Sequence, residues 1–137
     1  MADTGTVLQD VYDSFESKVD DDLTGQESLI FQFLKSALSR CYKTVRHVLT
    51  YTYNAETYDG NFTENLDQDE IELISLWMKF YKYDRKRSKL NFIEKSLGTK
   101  DFNQTSYKPE LDALKSSMSD LKIEINELSQ TFNTYSY

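Results

Sequence analysis

Residues 111–132 read LDALKSSMSDLKIEINELSQTF. Leu111, Leu114, Met118, Leu121, Ile125, Leu128 and Phe132 recur here at intervals of three and four, with mostly polar residues between them. A spacing that averages 3.5 residues puts all seven side chains on one stripe of an α-helix, the pattern of an a/d seam. The helix is expected to start near Ser106, with Pro109 in its first turn, where a missing N–H costs little. A stripe of this kind has to be covered. A chain of 137 residues needs such a face for its own core, and the alternative is packing against a second chain.

Working back from that helix, Asp67-Gln68-Asp69-Glu70 reads as a cap with acids in the first turn. Ile71, Ile74, Trp77, Met78, Tyr81 and Arg85 then share one face, and the pattern runs weakly through Phe92, Ile93 and Leu97 to a stop at Gly98. One helix of about thirty residues is expected, or two with a kink near Ser88. Leu29, Ile30, Phe33, Leu34, Ala37, Leu38, Cys41, Val45 and Leu49 form a broad stripe for a helix from about Gly25 to Arg46, with Thr24 and Glu27 as its capping box. Leu8, Val11, Tyr12, Phe15 and Val19 give a short amphipathic helix that Asp20-Asp21-Asp22 ends, because carboxylates oppose the dipole at a helix C-terminus. Between His47 and Leu66 the helical period fails. Val48, Tyr51, Tyr53 and Tyr58 alternate with Thr and Asn, and Asp59-Gly60 offers a turn, so this stretch is an ordered loop or a small β-hairpin. The expected fold is therefore all-α: one domain over residues 1–137, a bundle of about four main helices with one irregular or hairpin excursion at 47–66.

The chemistry is sparse. His47 is the one histidine, and no Cys or second His stands at metal-ligand spacing from it, so no metal site is expected. Cys41 lies on the apolar face of its helix and reads as a buried thiol rather than a nucleophile paired with His47. Asp20-Asp21-Asp22 lacks the alternation and distant Glu of a Ca²⁺ loop. There is no Gly-rich phosphate loop and no hydrolase or metalloprotease motif. The expectation is a protein that is not an enzyme and carries no cofactor. A single cysteine and the lack of a signal-peptide pattern point to a reducing, intracellular setting. No apolar run is long enough to span a membrane.

Charge is unevenly spread. Residues 1–72 hold fifteen acids and five bases, residues 73–100 two acids and eight bases, and residues 101–137 six acids and three bases. The basic island comprises Lys79, Lys82, Arg85, Lys86, Arg87 and Lys89, interleaved with Phe80, Tyr81 and Tyr83. It reads as a solvated helix face, as a docking face for an acidic surface such as residues 1–72 of a neighbouring copy, or as a nucleic-acid patch. A positive face meeting the next copy's negative face builds rings or filaments. Ile123 stands nearly opposite the seam, between Lys122 and Glu124. The segment 132–137, with Phe132, Tyr135 and Tyr137 and no charged side chain, reads as a tail leaving the helix to dock into another chain. Its removal is expected to leave the monomer folded. The candidate interface is thus Lys82, Arg85, Lys86, Arg87, Lys89, Ile123, Phe132, Tyr135 and Tyr137.

Phe62…Leu66…Glu70-Ile71…Leu73-Ile74…Met78, then Asp101-Phe102, Ser106, the leucine-rich helix and the ending Tyr135-Ser136-Tyr137, form a pattern over residues 60–137. It resembles the small head–tail connector (neck or adaptor) proteins of tailed bacteriophages, especially those of Gram-positive hosts. The Leu29–Cys41 helix joins the resemblance weakly. His47–Asp59 has no counterpart in it, and Phe80, Tyr81 and Tyr83 stand where relatives carry a Trp-rich stretch. The resemblance implies a virion protein made in the host bacterial cytoplasm. It would form a homo-oligomeric ring, commonly twelve-fold, between the portal protein and the tail or next neck protein, with DNA passing through without specific binding. The other reading is a regulatory or DNA-packaging accessory protein that binds nucleic acid through residues 79–89.

Overall fold

The computed structural model describes residues 5–134, with side chains to Phe132. Its elements are α1 (Leu8–Glu16), α2 (Glu27–Cys41), β1 (Tyr51–Tyr53), β2 (Gly60–Phe62), α3 (Gln68–Leu97), α4 (Thr99–Phe102) and α5 (Tyr107–Thr134). The all-α bundle with a small hairpin is what the hydrophobic periods require.

α3 is the axis, and α1, α2, α4 and α5 all pack on it. Its thirty residues form one helix, about 45 Å long at 1.5 Å per residue. Its two halves are unlike. From Glu70 to Met78 nearly every residue is buried, whereas beyond Met78 the fully buried position is Leu90. The first half is surrounded by neighbours, and the second is covered on one side by α4 and the start of α5. Two cores result. The larger joins α1, α2, the hairpin, the start of α3 and the end of α5 around Phe15, Leu34, Leu73, Ile74 and Ile125. The smaller, at the far end of the α3–α5 hairpin, consists of Leu90, Phe102, Leu111, Leu114 and Met118. The seam of α5 is therefore satisfied inside the chain. Leu111, Leu114, Met118, Leu121, Ile125 and Phe132 are buried, and Leu128 packs partly buried against the larger core.

The region 47–66 resolves as an antiparallel hairpin, with Tyr51 opposite Phe62 and Tyr53 opposite Gly60. Phe31 of α2 packs on Tyr51, Tyr53 and Tyr58 at centroid distances of 6.2, 4.5 and 5.2 Å, which explains why tyrosines alternate there. The chain start lies along the other edge of β2. The Phe62 N–H donates to Thr6 O at 2.8 Å, and a Cβ at Gly5 would sit 1.6 Å from the Phe62 carbonyl oxygen, so only glycine fits.

Four local expectations are corrected. α2 begins at Glu27 and ends at Cys41, not at Gly25 and Arg46, and the Thr24–Glu27 capping box does not form. The Thr24 hydroxyl instead donates to Asp22 Oδ1 at 2.6 Å. A short helix, α4, follows the Gly98 stop. Phe132 does not leave the helix. α5 runs to Thr134, and Phe132 is 3 % exposed in the larger core because it completes the seam. Deleting 132–137 would remove the core side chain of Phe132. Tyr135 and Tyr137 lie outside the described residues.

Candidate assembly surfaces

The basic island lies on the middle of α3, and the fold divides it. Lys82 donates to Asp21, in the loop before α2. Lys86 pairs with Glu110 of α5 at 3.0 Å, and Arg87 pairs with Asp84 one turn back. The acidic first half of the sequence and the basic stretch thus already meet within one chain. Phe80, Tyr81 and Tyr83 are partly buried against the cores, so they are not free stacking platforms for bases. They hold cations of their own chain. The Lys79 and Lys82 ammonium groups lie 5.7 and 5.8 Å from the Tyr83 centroid. The Arg40 guanidinium lies 5.2 Å from Trp77 while its Nε donates to the Tyr81 hydroxyl at 2.6 Å.

Arg85 and Lys89 differ. Both are exposed, and no described residue pairs with either. At 100° per residue they share a narrow arc of α3 with Phe92 and Ser96. Phe92 is 67 % exposed, the most exposed large apolar side chain among the described residues. Sequence reading took Phe92 as a continuation of the core face. The structure gives that role to Leu90, two positions earlier, because α4 and the start of α5 cover that side. The spacing of Arg85, Lys89 and Phe92 carried the signal. Ile123 is exposed, at 57 %, as its place opposite the seam requires.

A second apolar surface lies at the opposite end of the bundle. Leu38, Tyr42, Val48, Leu49 and Tyr51 line a groove of about 560 Å³ between α2 and β1, and both Tyr42 and Val48 are exposed.

His47, Asp67 and Glu70 bring three potential ligand atoms within 4.8 Å of one another, a grouping the sequence did not suggest. Glu70 is fully buried, and its oxygens are fully engaged. Oε1 accepts from the Asp67 N–H at 2.8 Å and lies 2.6 Å from His47 Nδ1. Oε2 accepts from the Arg46 and His47 N–H groups, both at 2.9 Å. Asp67 in turn accepts from Arg46 at 2.8 Å. With every acceptor position of Glu70 taken, the cluster works as a clamp that fastens the loop after α2 to the first turn of α3. Arg46 also covers the Phe132 ring, 4.8 Å from its centroid, so the clamp reaches the end of α5. The Glu70 carboxylate, accepting from His47 Nδ1, raises the His47 pKa above its ordinary value. Burial would raise the Glu70 carboxyl, but the N–H donors of Asp67 and His47, together with the imidazole, hold it below the usual range. Cys41 is buried, and desolvation pushes its thiol up to about 12, the opposite of an activated nucleophile.

Among the described residues no helix is long and apolar enough to cross a membrane. Comparison with protein-family models, with curated proteins and with solved structures finds no match.

Proposed function

We propose that the chain is a structural assembly subunit of the head–tail connector kind, one copy of a ring that joins the portal to the tail of a bacteriophage particle. The observation that carries this reading is the division of α3. Its first half is sheathed, while its second half extends with α5 as a two-helix arm. That arm has its own small core and bears exposed Phe92 beside the unpaired cations Arg85 and Lys89. A side chain as large as Phe left in water, on a rigid helix and rimmed by charge, suits a surface kept for another protein. Exposed Ile123 and the Tyr42–Val48 groove add to that surplus. The family resemblance over residues 60–137 supplies the connector identity, and the helical fold is compatible with it.

Nucleic-acid binding through residues 79–89 has less support. Lys82, Lys86 and Arg87 are engaged within the chain, and the intervening aromatics are packed.

The test is the mass of the purified full chain by native mass spectrometry and sedimentation velocity over a wide concentration range. A closed ring of many copies is expected, alone or on adding the portal. A chain that stays monomeric in both conditions refutes the proposal.

A further inference from the structure

The arm of α3 ends in a knob, and the other end of the acidic half holds a socket of matching chemistry. Leu23 and Ile30, both buried, floor a pocket of about 440 Å³, whose rim carries Glu16, Asp21, Asp22 and Glu27. Asp21 is taken by Lys82, and Asp22 accepts the Thr24 N–H and hydroxyl at 3.0 and 2.6 Å. Glu16 and Glu27 are exposed, and no described residue pairs with either. The same two glutamates border a second hollow of about 250 Å³ that adds Asp59. An apolar floor under an unpaired acidic rim is the complement of Phe92 with Arg85 and Lys89 in the two turns before it.

We propose that the Phe92 face of one copy seats in the acid-rimmed pocket between α1 and α2 of a second copy. The proposal rests on reading the chain as a self-assembling subunit, and it names the contact that joins the copies. A phenyl ring buries about 150–250 Å², and the pocket has room for it. The cations one turn and two turns before Phe92 come within reach of Glu16 and Glu27. Such pairs are partly desolvated, so they set partner and register more than affinity. The negative charges near the knob do not cancel it: Asp84 is paired with Arg87, Glu110 with Lys86, and Glu94 lies on the opposite face of α3.

Knob and socket cannot meet within one subunit. Lys82, level with the loop that rims the socket, precedes Phe92 by ten residues, about 15 Å of helix. The groove that Arg85 and Lys89 line with Leu29 and Phe33 of α2 adjoins the socket and shares Asp21 and Leu23 with it. The unpaired Glu27 and the floor residue Ile30, however, stand roughly a quarter turn away around α2, and Phe92 lies beyond the groove. Two different patches that bind each other make a head-to-tail contact, the kind that closes rings.

The test uses the full-length chain and four variants: Phe92→Ser, Lys89→Glu, Glu27→Lys, and the double variant Lys89→Glu with Glu27→Lys. All three positions are exposed, and far-UV circular dichroism checks that each variant folds. Self-association is measured by sedimentation velocity at low and high salt. Each single change is expected to weaken association about tenfold or more, a step of one decade in Kd. The double variant is expected to recover most of the loss, and added salt to weaken the wild type. Assembly that proceeds unchanged in Phe92→Ser and in both single reversals overturns this contact while leaving the subunit reading intact. A double variant no better than its parents overturns it as well, and a wild-type chain that stays monomeric both alone and with the portal defeats both. Tight, salt-sensitive binding of duplex DNA that Lys89→Glu abolishes, without effect on assembly, assigns the face to nucleic acid instead and overturns the proposal.

Discussion

Replacing Glu70 by glutamine keeps the shape of the side chain and removes its charge, which isolates the electrostatics of the clamp. The carboxylate receives three backbone N–H groups and faces His47 Nδ1, and it is wholly buried. An amide has one oxygen, so two contacts must meet an NH₂ group. The least costly arrangement keeps the oxygen on Arg46 and His47 N–H and turns the NH₂ toward His47 Nδ1, whose tautomer can change to accept. The Asp67 N–H is then left facing a donor. One buried N–H without an acceptor costs about 1–3 kcal/mol, and losing the charge assistance in the remaining bonds adds on the order of 1 kcal/mol. Relief of carboxylate desolvation offsets part of this. These costs sum to about 2–4 kcal/mol before that offset, so the expected net loss is about 1–3 kcal/mol, and at roughly 3–5 °C per kcal/mol for a domain of this size the Tm falls by about 5–10 °C. Urea unfolding followed by circular dichroism measures it, and pH adds a second readout. The raised His47 pKa contributes stability that is complete below about 6.5 and lost as pH rises through the folded value. The lowered Glu70 pKa contributes stability that is complete above about 4.5 and lost as pH falls through its folded value. The wild type should therefore show a plateau between those limits, and Glu70→Gln should lose the alkaline slope. A destabilisation below about 1 kcal/mol, or an alkaline slope that persists in the variant, refutes the clamp.

Other consequences are equally direct. Phe132→Ala empties a core position under Arg46 and should cost about 3–5 kcal/mol in the same urea assay, so tests of the terminal tail have to begin beyond Thr134. Ile123→Asp, at an exposed site, should change monomer stability by no more than about 0.5 kcal/mol. Gly98 has φ 85° and ψ 151° with open space around it; Gly98→Ala should cost about 1–3 kcal/mol from backbone strain alone, readable as a Tm shift. The Cys41 thiol, buried with its pKa near 12, should resist a water-soluble thiol reagent in the native state and react on unfolding, which absorbance of the released chromophore follows.

Much of the fold was legible because it rests on local periodicity. The seam from Leu111 to Phe132 and the stripe of α2 each mark a helix and its buried face. The Asp67–Glu70 cap, which forms as a capping box, marks where α3 starts. The surfaces were harder to read. Sequence placed Lys82, Lys86 and Arg87 with Arg85 and Lys89 as one island, yet Asp21, Glu110 and Asp84 neutralise the first three. Two of those acids are distant in sequence, and no local pattern announces a partner sixty residues away. Phe92 and Leu90 look alike along the chain, and which one meets water depends on where α4 and α5 return. Glu70 looked like an ordinary first-turn acid, and it became the centre of a clamp when the turn after α2 delivered His47 to it.

Sequence by itself determined the helices and their buried stripes, since a side chain's period along its own backbone is a local property. Tertiary structure decided which charges remain unpaired, which aromatics reach solvent, and that the last seam residue belongs to the core. Those outcomes depend on contacts between segments far apart in the chain, whose geometry exists only once the helices have packed.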